Sequence, residues 1–214
     1  MKTRLAGFHR FDLTDFESLN GKSRWSDENI KKVRNKLEHL KEPLHEKLKN
    51  EFGIDFKSNI GGGYPFGKHP IYYIWLSFTQ RKEPVLYVPY PQLNVEIRAK
   101  ELRVFFLLTN KGSVKTGQRI WQKHCNNLKK GLEADDNNNY LIKLIKDQNF
   151  IINGDKDIEI EMAIENIEPN GIGVGKEIDK KSVINLQEGV SDEIFRTLKM
   201  LYPIYKIAMT STTK

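Results

Sequence analysis

Apolar residues recur at three- and four-residue steps along one stretch of the N-terminal third. Ile30, Val33, Leu37, Leu40, Leu44 and Leu48 fall on one helical stripe. Ser26, followed by Asp27 and Glu28, marks the start, because a short polar side chain caps free N–H groups and acidic residues favour the positive end of a helix dipole. Pro43 interrupts the stripe, so the pattern predicts two helices, near 27–40 and 43–52, with Gly53 as the stop. Thr14 is placed to cap a shorter helix through Leu19.

The pattern then changes to extended segments. Residues 71–78 (IYYIWLSF), 84–90 (PVLYVPY), 93–98 (LNVEIR) and 102–109 (LRVFFLLT) are rich in β-branched and aromatic side chains, with short polar connections between them. Short connections favour antiparallel neighbours. The run "VEIRAKELRV" reads as a hairpin turning at Ala99–Glu101, and Pro89 and Pro91 assign the second segment to an edge or a bulge. Beyond it the sequence predicts a helix from Ser113 through Lys130, with Ile120, Trp121 and Leu128 inward, and a helix at 139–147. Strands are expected at 149–153 and 157–164, followed by a glycine-broken loop "EPNGIGVGKEID" leading to 182–186. Ser191 is the expected cap of a closing helix whose Ile194, Leu198, Leu201, Tyr205 and Ala208 share a face. Helices at both ends of a central, curved antiparallel sheet make this an α+β fold.

Length and composition agree with one folded domain. At 214 residues the chain can bury roughly 70% of its unfolded surface. Expected is a single domain over 1–214, with an N-terminal arm at 1–25 and a core at 26–210. No apolar run approaches the roughly 20 residues of a membrane span, and "MKTRLAGFHRFDLTDF" lacks a signal-peptide core. The single cysteine, Cys125, excludes an internal disulfide framework, so a cytoplasmic location is expected. The net charge of +7 is unevenly distributed. Residues 1–131 carry 25 Lys/Arg against 13 Asp/Glu, a balance of +12, whereas 132–214 carry 10 against 15, a balance of −5. A basic front is what a polyanion-binding face requires.

Several chemistries fail on spacing. "GIGVGKEID" lacks the G-x-x-x-x-G-K-[ST] order of a phosphate loop, and "SNIGGGYPFG" is followed by Pro65 and Pro70 where a dinucleotide fingerprint needs a helix. The five histidines include no pair at helical metal-ligand spacing, and His124 beside Cys125 reads as a helix-surface residue. Asp155, Asp157, Glu159 and Glu161 alternate along a strand but lack the lysine that a metal-dependent nuclease motif would add, so they read as a solvated sheet face. No cofactor and no metal is called for.

What remains is aromatic and basic. Tyr64, Phe66, Tyr72, Tyr73 and Trp75 lie in and after a glycine run, flanked by Lys57, Lys68, Arg81 and Lys82. Reading a base by extrusion needs flat rings to sandwich it and cations for the neighbouring phosphates. Along a strand Tyr72, Ile74 and Leu76 face one side while Tyr73, Trp75 and Ser77 face the other, so only one set can line a pocket.

Ser58, Gly61, Gly63, Tyr64, Phe66, Pro70 and the aromatic strand 71–78, in that order, resemble the N-terminal DNA-recognition domain of McrB-type modification-dependent restriction systems. The likeness continues through "FFLLTNKG" at 105–112, "GKEIDKKSVINL" at 175–186 and "LKMLYPIYK" at 198–206, and covers roughly residues 30–208. It implies a domain that binds methylated or otherwise modified double-stranded DNA and turns the modified base into an aromatic pocket, in anti-phage defence. Catalysis would then lie outside the domain, in an AAA+ GTPase region and a nuclease subunit. The likeness gives Tyr64 the role of loop aromatic, and Ile71 stands where that family often has Trp. "DLTDF", "LKEPL" and the hairpin at 89–108 also resemble an uncharacterised cytosolic α+β family of the YktB type, which predicts no DNA affinity. A small magnesium-dependent nuclease using Asp155, Asp157, Glu159 or Glu161 is the third reading.

Overall fold

The computed structural model describes residues 10–62, 70–80, 90–109, 115–134, 149–151 and 171–210. In chain order the elements are α1 (Leu13–Glu17), α2 (Glu28–Phe52), β1 (Lys57–Gly62), β2 (Tyr73–Thr79), β3 (Gln92–Arg98), β4 (Glu101–Thr109), α3 (Lys115–Ala134), β5 (Asn149–Ile151), β6 (Gly171–Asp179), α4 (Lys180–Leu186) and α5 (Val190–Met209), with a 3-10 turn at Gln187–Gly189 before α5. Among the described residues six strands form one sheet in the order β1-β2-β3-β4-β6-β5, and the β1–β2 and β5–β6 pairs are antiparallel. The fold is α+β, as the sequence pattern predicts.

By contacts the chain divides into two compact units, interleaved in sequence. One comprises 1–80, 94–104 and 177–196, the other 81–93, 105–176 and 197–214. In the first, α2 is the organising element. Ile30, Val33, Leu37, Leu40, Leu44 and Leu48 are fully buried, and each contributes about 1.5–3 kcal/mol by leaving water. The helix runs unbroken through Pro43, which corrects the expected division into two. A proline inside a helix costs about 3 kcal/mol, and burial of Leu40 and Leu44 on either side offsets it. Gly53 closes the helix in the left-handed region, its N–H bonded to the Lys49 carbonyl.

Both N-terminal starts differ from expectation. Asp12, not Thr14, caps α1 in a reciprocal box with Asp15. Asp27, not Ser26, precedes α2, and its carboxylate accepts from the Arg24 N–H instead of capping α2. Phe11, Phe16 and Leu19 are buried, so residues 10–25 fold onto the first unit. Gly21 donates to the Ile71 carbonyl and Ile71 donates to the Ser23 carbonyl, which laces this segment to the approach of β2. Lys36 of α2 joins the same corner, its ammonium 2.5 Å from Asp15 and 3.1 Å from Asp12.

Two glycine-bearing stretches that the sequence pattern does not assign to strands are strands. Residues 57–62 (KSNIGG) pair with β2 from Lys57↔Thr79 to Gly62↔Ile74, and 171–179 form β6. The hairpin turn between β3 and β4 falls at Ala99–Lys100, close to where the sequence places it. The closing helix starts at Val190, with Ser191 buried inside its first turn rather than capping it. Its predicted face is buried: Ile194 belongs to the first unit, and Leu198, Leu201, Tyr205 and Ala208 to the second. Lys47 ties α2 to the start of α5, 2.7 Å from Asp192 and with its ammonium 5.6 Å from the Phe195 ring centre.

In the second unit α3 packs on the end of α5. His124, expected on the helix surface, is buried; its Nδ1 lies 2.7 Å from the Ala208 carbonyl and its ring 5.3 Å from that of Tyr90. The Asn127 amide donates to the Ala208 and Thr210 carbonyls. The two side chains satisfy carbonyls that the end of α5 leaves without helical partners. The expected segment at 84–90, apart from Tyr90, and those at 139–147 and 157–164 lie outside the described residues, as do Asp155, Asp157, Glu159 and Glu161.

Candidate nucleic-acid interface

The aromatic strand β2 divides by strict alternation. Ile74, Leu76 and Phe78 are fully buried and meet the apolar stripe of α2, which packs on β1 and β2. Tyr73 and Trp75 take the opposite face and stay half-buried, with Ser77 buried beyond them. Gly61 stands across from Trp75 in the β1–β2 ladder, and a Cβ there would overlap the six-membered ring of the indole. Glycine in this strand therefore reflects the close approach of a ring. Gly62, one step on, faces the α2 side, where the nearest side chain is that of Trp25. Arg34 of α2 lies 5.7 Å over the Trp25 ring.

The Tyr73–Trp75 face continues across the first unit as a polar band. The Arg98 guanidinium sits 5.2 Å over the Tyr73 ring. Tyr73 opens β2 and Arg98 closes β3, so their contact makes these neighbours antiparallel. Glu96 and Asn94 consequently lie farther along the same face, toward the Trp75–Ser77 end. Glu96 accepts from Arg98 at 2.5 Å. Arg103 of β4 bridges Glu101 at 3.2 Å and Glu177 of β6 at 2.7 Å. Burial pushes the Glu96 carboxyl above the ordinary glutamate range, against the opposing pull of Arg98 and Arg103. Asn94 is 2% exposed and its side-chain Nδ2 has no hydrogen-bond partner. On β1, at the margin of the band, Lys57 and Asn59 are exposed. Such a face presents two half-buried rings, with the amide of Asn94 and the carboxylate of Glu96 buried in the same band, and few uncompensated charges.

Of the residues the sequence singles out, Tyr73, Trp75 and Lys57 come together on this face. Tyr72 does not. It points the other way, 57% exposed, with its ring against Gly21. Tyr64, Phe66, Lys68, Arg81 and Lys82 lie outside the described residues. The sequence reading missed Gly61, Asn94, Glu96, Arg98 and Arg103 as members of the face. The alternating charges of "VEIRAKELRV" were the available signal, since Glu96 and Arg98, like Glu101 and Arg103, are two residues apart and so share one face of their strand. Among the described residues no group of three His, Cys, Asp or Glu could hold a metal ion, and no helix is long and apolar enough to cross a membrane.

No family model matches the chain, and no curated protein matches its sequence.

Proposed function

We propose that this chain is a DNA-binding specificity domain that reads a modified base by stacking it on the Tyr73–Trp75 face. The observation that carries the reading is the placement of two half-buried rings on the side of β2 away from α2, with Gly61 making room for the indole. Stacking on an aromatic side chain is worth about 1–3 kcal/mol per base, so two rings suffice to hold an extruded nucleotide. Lys57 at the margin and the +12 balance of residues 1–131 supply the sequence-independent attraction to phosphates. On this reading the domain itself catalyses nothing. Cleavage would belong to an associated motor and nuclease in a restriction system of the cytoplasm.

Electrophoretic mobility shifts test it, using duplexes identical except for one methylated or hydroxymethylated base and titrated against salt. Tight binding that weakens steeply with salt and favours the modified duplex is the expected result. Trp75→Ala and Tyr73→Ala should each reduce the preference for the modified duplex by about 5- to 100-fold while leaving weaker general affinity. Equal losses on both duplexes would overturn the stacking role, and no binding below micromolar concentrations at moderate salt would overturn DNA binding altogether.

A further inference from the structure

A polar groove of about 670 Å³ opens in the first unit between the N-terminal segment, α2 and the 3-10 turn before α5. That volume lies within the range of small-molecule sites. The groove is on the α2 side, whereas Tyr73 and Trp75 occupy the other face of β2, so it is a separate site. Lys32, Asn35, Lys36 and His39 line it from one face of α2, Arg10 and Asp12 from the N-terminal segment, and Gln187 and Glu188 from the third wall.

The charges on these walls are not equivalent. The carboxylate of Asp12 is engaged twice, accepting from the Asp15 N–H at 3.2 Å and from the Lys36 ammonium at 3.1 Å. Burial raises its pKa, but the contacts with Lys36 prevail and hold it below the ordinary aspartate range. Lys36 is likewise fixed, between Asp12 and Asp15. Arg10 and Lys32, in contrast, make no ion pair among the described residues, although both line the groove. Gln187 is the one non-glycine described residue with positive φ, at 48°. Strain of this kind concentrates at functional sites, where the surrounding structure holds the backbone in place.

We propose that this groove binds a phosphate group, with Arg10 and Lys32 as its cations and the Asn35 amide as an additional donor. Two cations that make no ion pair among the described residues, on separate walls of a concave polar site, favour a doubly charged oxyanion over chloride, because guanidinium and ammonium groups can donate to several oxygens at once. Glu188 is placed to accept from a hydroxyl on the body that carries the phosphate. The phosphate could be that of a small ester or of a nucleic-acid backbone, and the chemistry is the same.

Calorimetric titration of the whole chain with inorganic phosphate and with pyrophosphate, at ionic strength matched with chloride, tests the site. Saturable one-to-one binding is expected, weakened at least roughly tenfold by Arg10→Ala and by Lys32→Ala. Both residues bear side chains on the surface of the groove, and an unchanged circular dichroism spectrum verifies the fold of each variant. Trp75→Ala should leave phosphate binding intact, so failure of the DNA reading does not disturb this one. Displacement of phosphate by an unmodified short duplex would identify the source as a nucleic-acid backbone; no displacement would identify a free phosphate compound. A heat signal that chloride reproduces, or one unchanged in both variants, would overturn the proposal.

Discussion

Gly61 and Trp75 face each other across the β1–β2 ladder, with the indole occupying the space a side chain at 61 would need. Gly61→Ala should therefore force the ring to move. Overpacking of this kind costs about 1–3 kcal/mol, although alanine is otherwise no worse than glycine in a strand. Urea unfolding of Gly61→Ala, Trp75→Ala and the double variant forms a complete cycle. The expected result is a substantial penalty for Gly61→Ala alone that largely disappears when the indole is absent. A penalty that persists in the Trp75→Ala background would place its origin in the backbone.

Gly21 and Tyr72 make a second such pair on the opposite side of β2. Gly21 has φ of 81°, and a Cβ there would overlap the Tyr72 ring. Gly21→Ala combines left-handed strain of about 1 kcal/mol with that overlap. Tyr72→Ala should relieve only the overlap, so the double variant recovers part of the lost stability and not all of it. Tyr72→Ala alone should have little effect on discrimination between modified and unmodified DNA, because this ring is not on the Trp75 face. A loss as large as that of Trp75→Ala would contradict the division of β2 into two faces.

Lys36 and Asp15 form a buried ion pair whose two partners respond differently to removal. Burial holds the Asp15 carboxyl above the ordinary aspartate range despite the nearby ammonium. Lys36→Met would leave that carboxylate, and the more exposed Asp12, without their cation. Breaking one side of such a pair costs about 3–5 kcal/mol, whereas replacing both by apolar side chains is often nearly neutral. Unfolding free energies should show Lys36→Met strongly destabilised and Lys36→Met/Asp15→Leu recovering most of the loss. Equal destabilisation of the two variants would indicate that Asp12, not Asp15, is the partner that matters.

Periodic elements were the legible part of this chain. The α2 stripe and the face of α5 were readable because six and five apolar positions repeat at helical spacing, and both faces are buried. Where a single backbone partner decides the outcome, periodicity carries no information. KSNIGG contains one large apolar residue, so nothing local predicts β1; it is a strand because β2 offers a ladder and Trp75 needs a neighbour without a side chain. Pro43 read as a break because the local penalty is visible in sequence and the burial that offsets it is not. The split of Tyr72 from Tyr73 and Trp75 followed from alternation alone, but which set faced inward depended on where α2 docked. His124 read as exposed among the polar neighbours Lys123 and Asn126, since its partner carbonyl is 84 residues away.

That same histidine gives the fold a pH dependence with a definite sign. Burial lowers the His124 pKa from its ordinary 6.5, and Lys123 adds to the effect, against the raising influence of the Ala208 carbonyl. The folded state therefore takes up a proton less readily than the unfolded chain. Above pH of about 6.5 both states are neutral at this site and it contributes no pH dependence. As pH falls below that value the unfolded state gains the proton first, and stability should decline by up to about 1.4 kcal/mol per pH unit until the folded pKa is passed. His124→Gln preserves a donor for the Ala208 carbonyl and removes the titration. Denaturant midpoints measured from pH 8 to pH 5 should accordingly fall less steeply for His124→Gln than for the wild type, with the two curves diverging below about pH 6.5. Parallel curves would assign the acid sensitivity to other groups, and a wild type that gains stability relative to the variant on acidification would mean that the imidazole is held charged against Ala208.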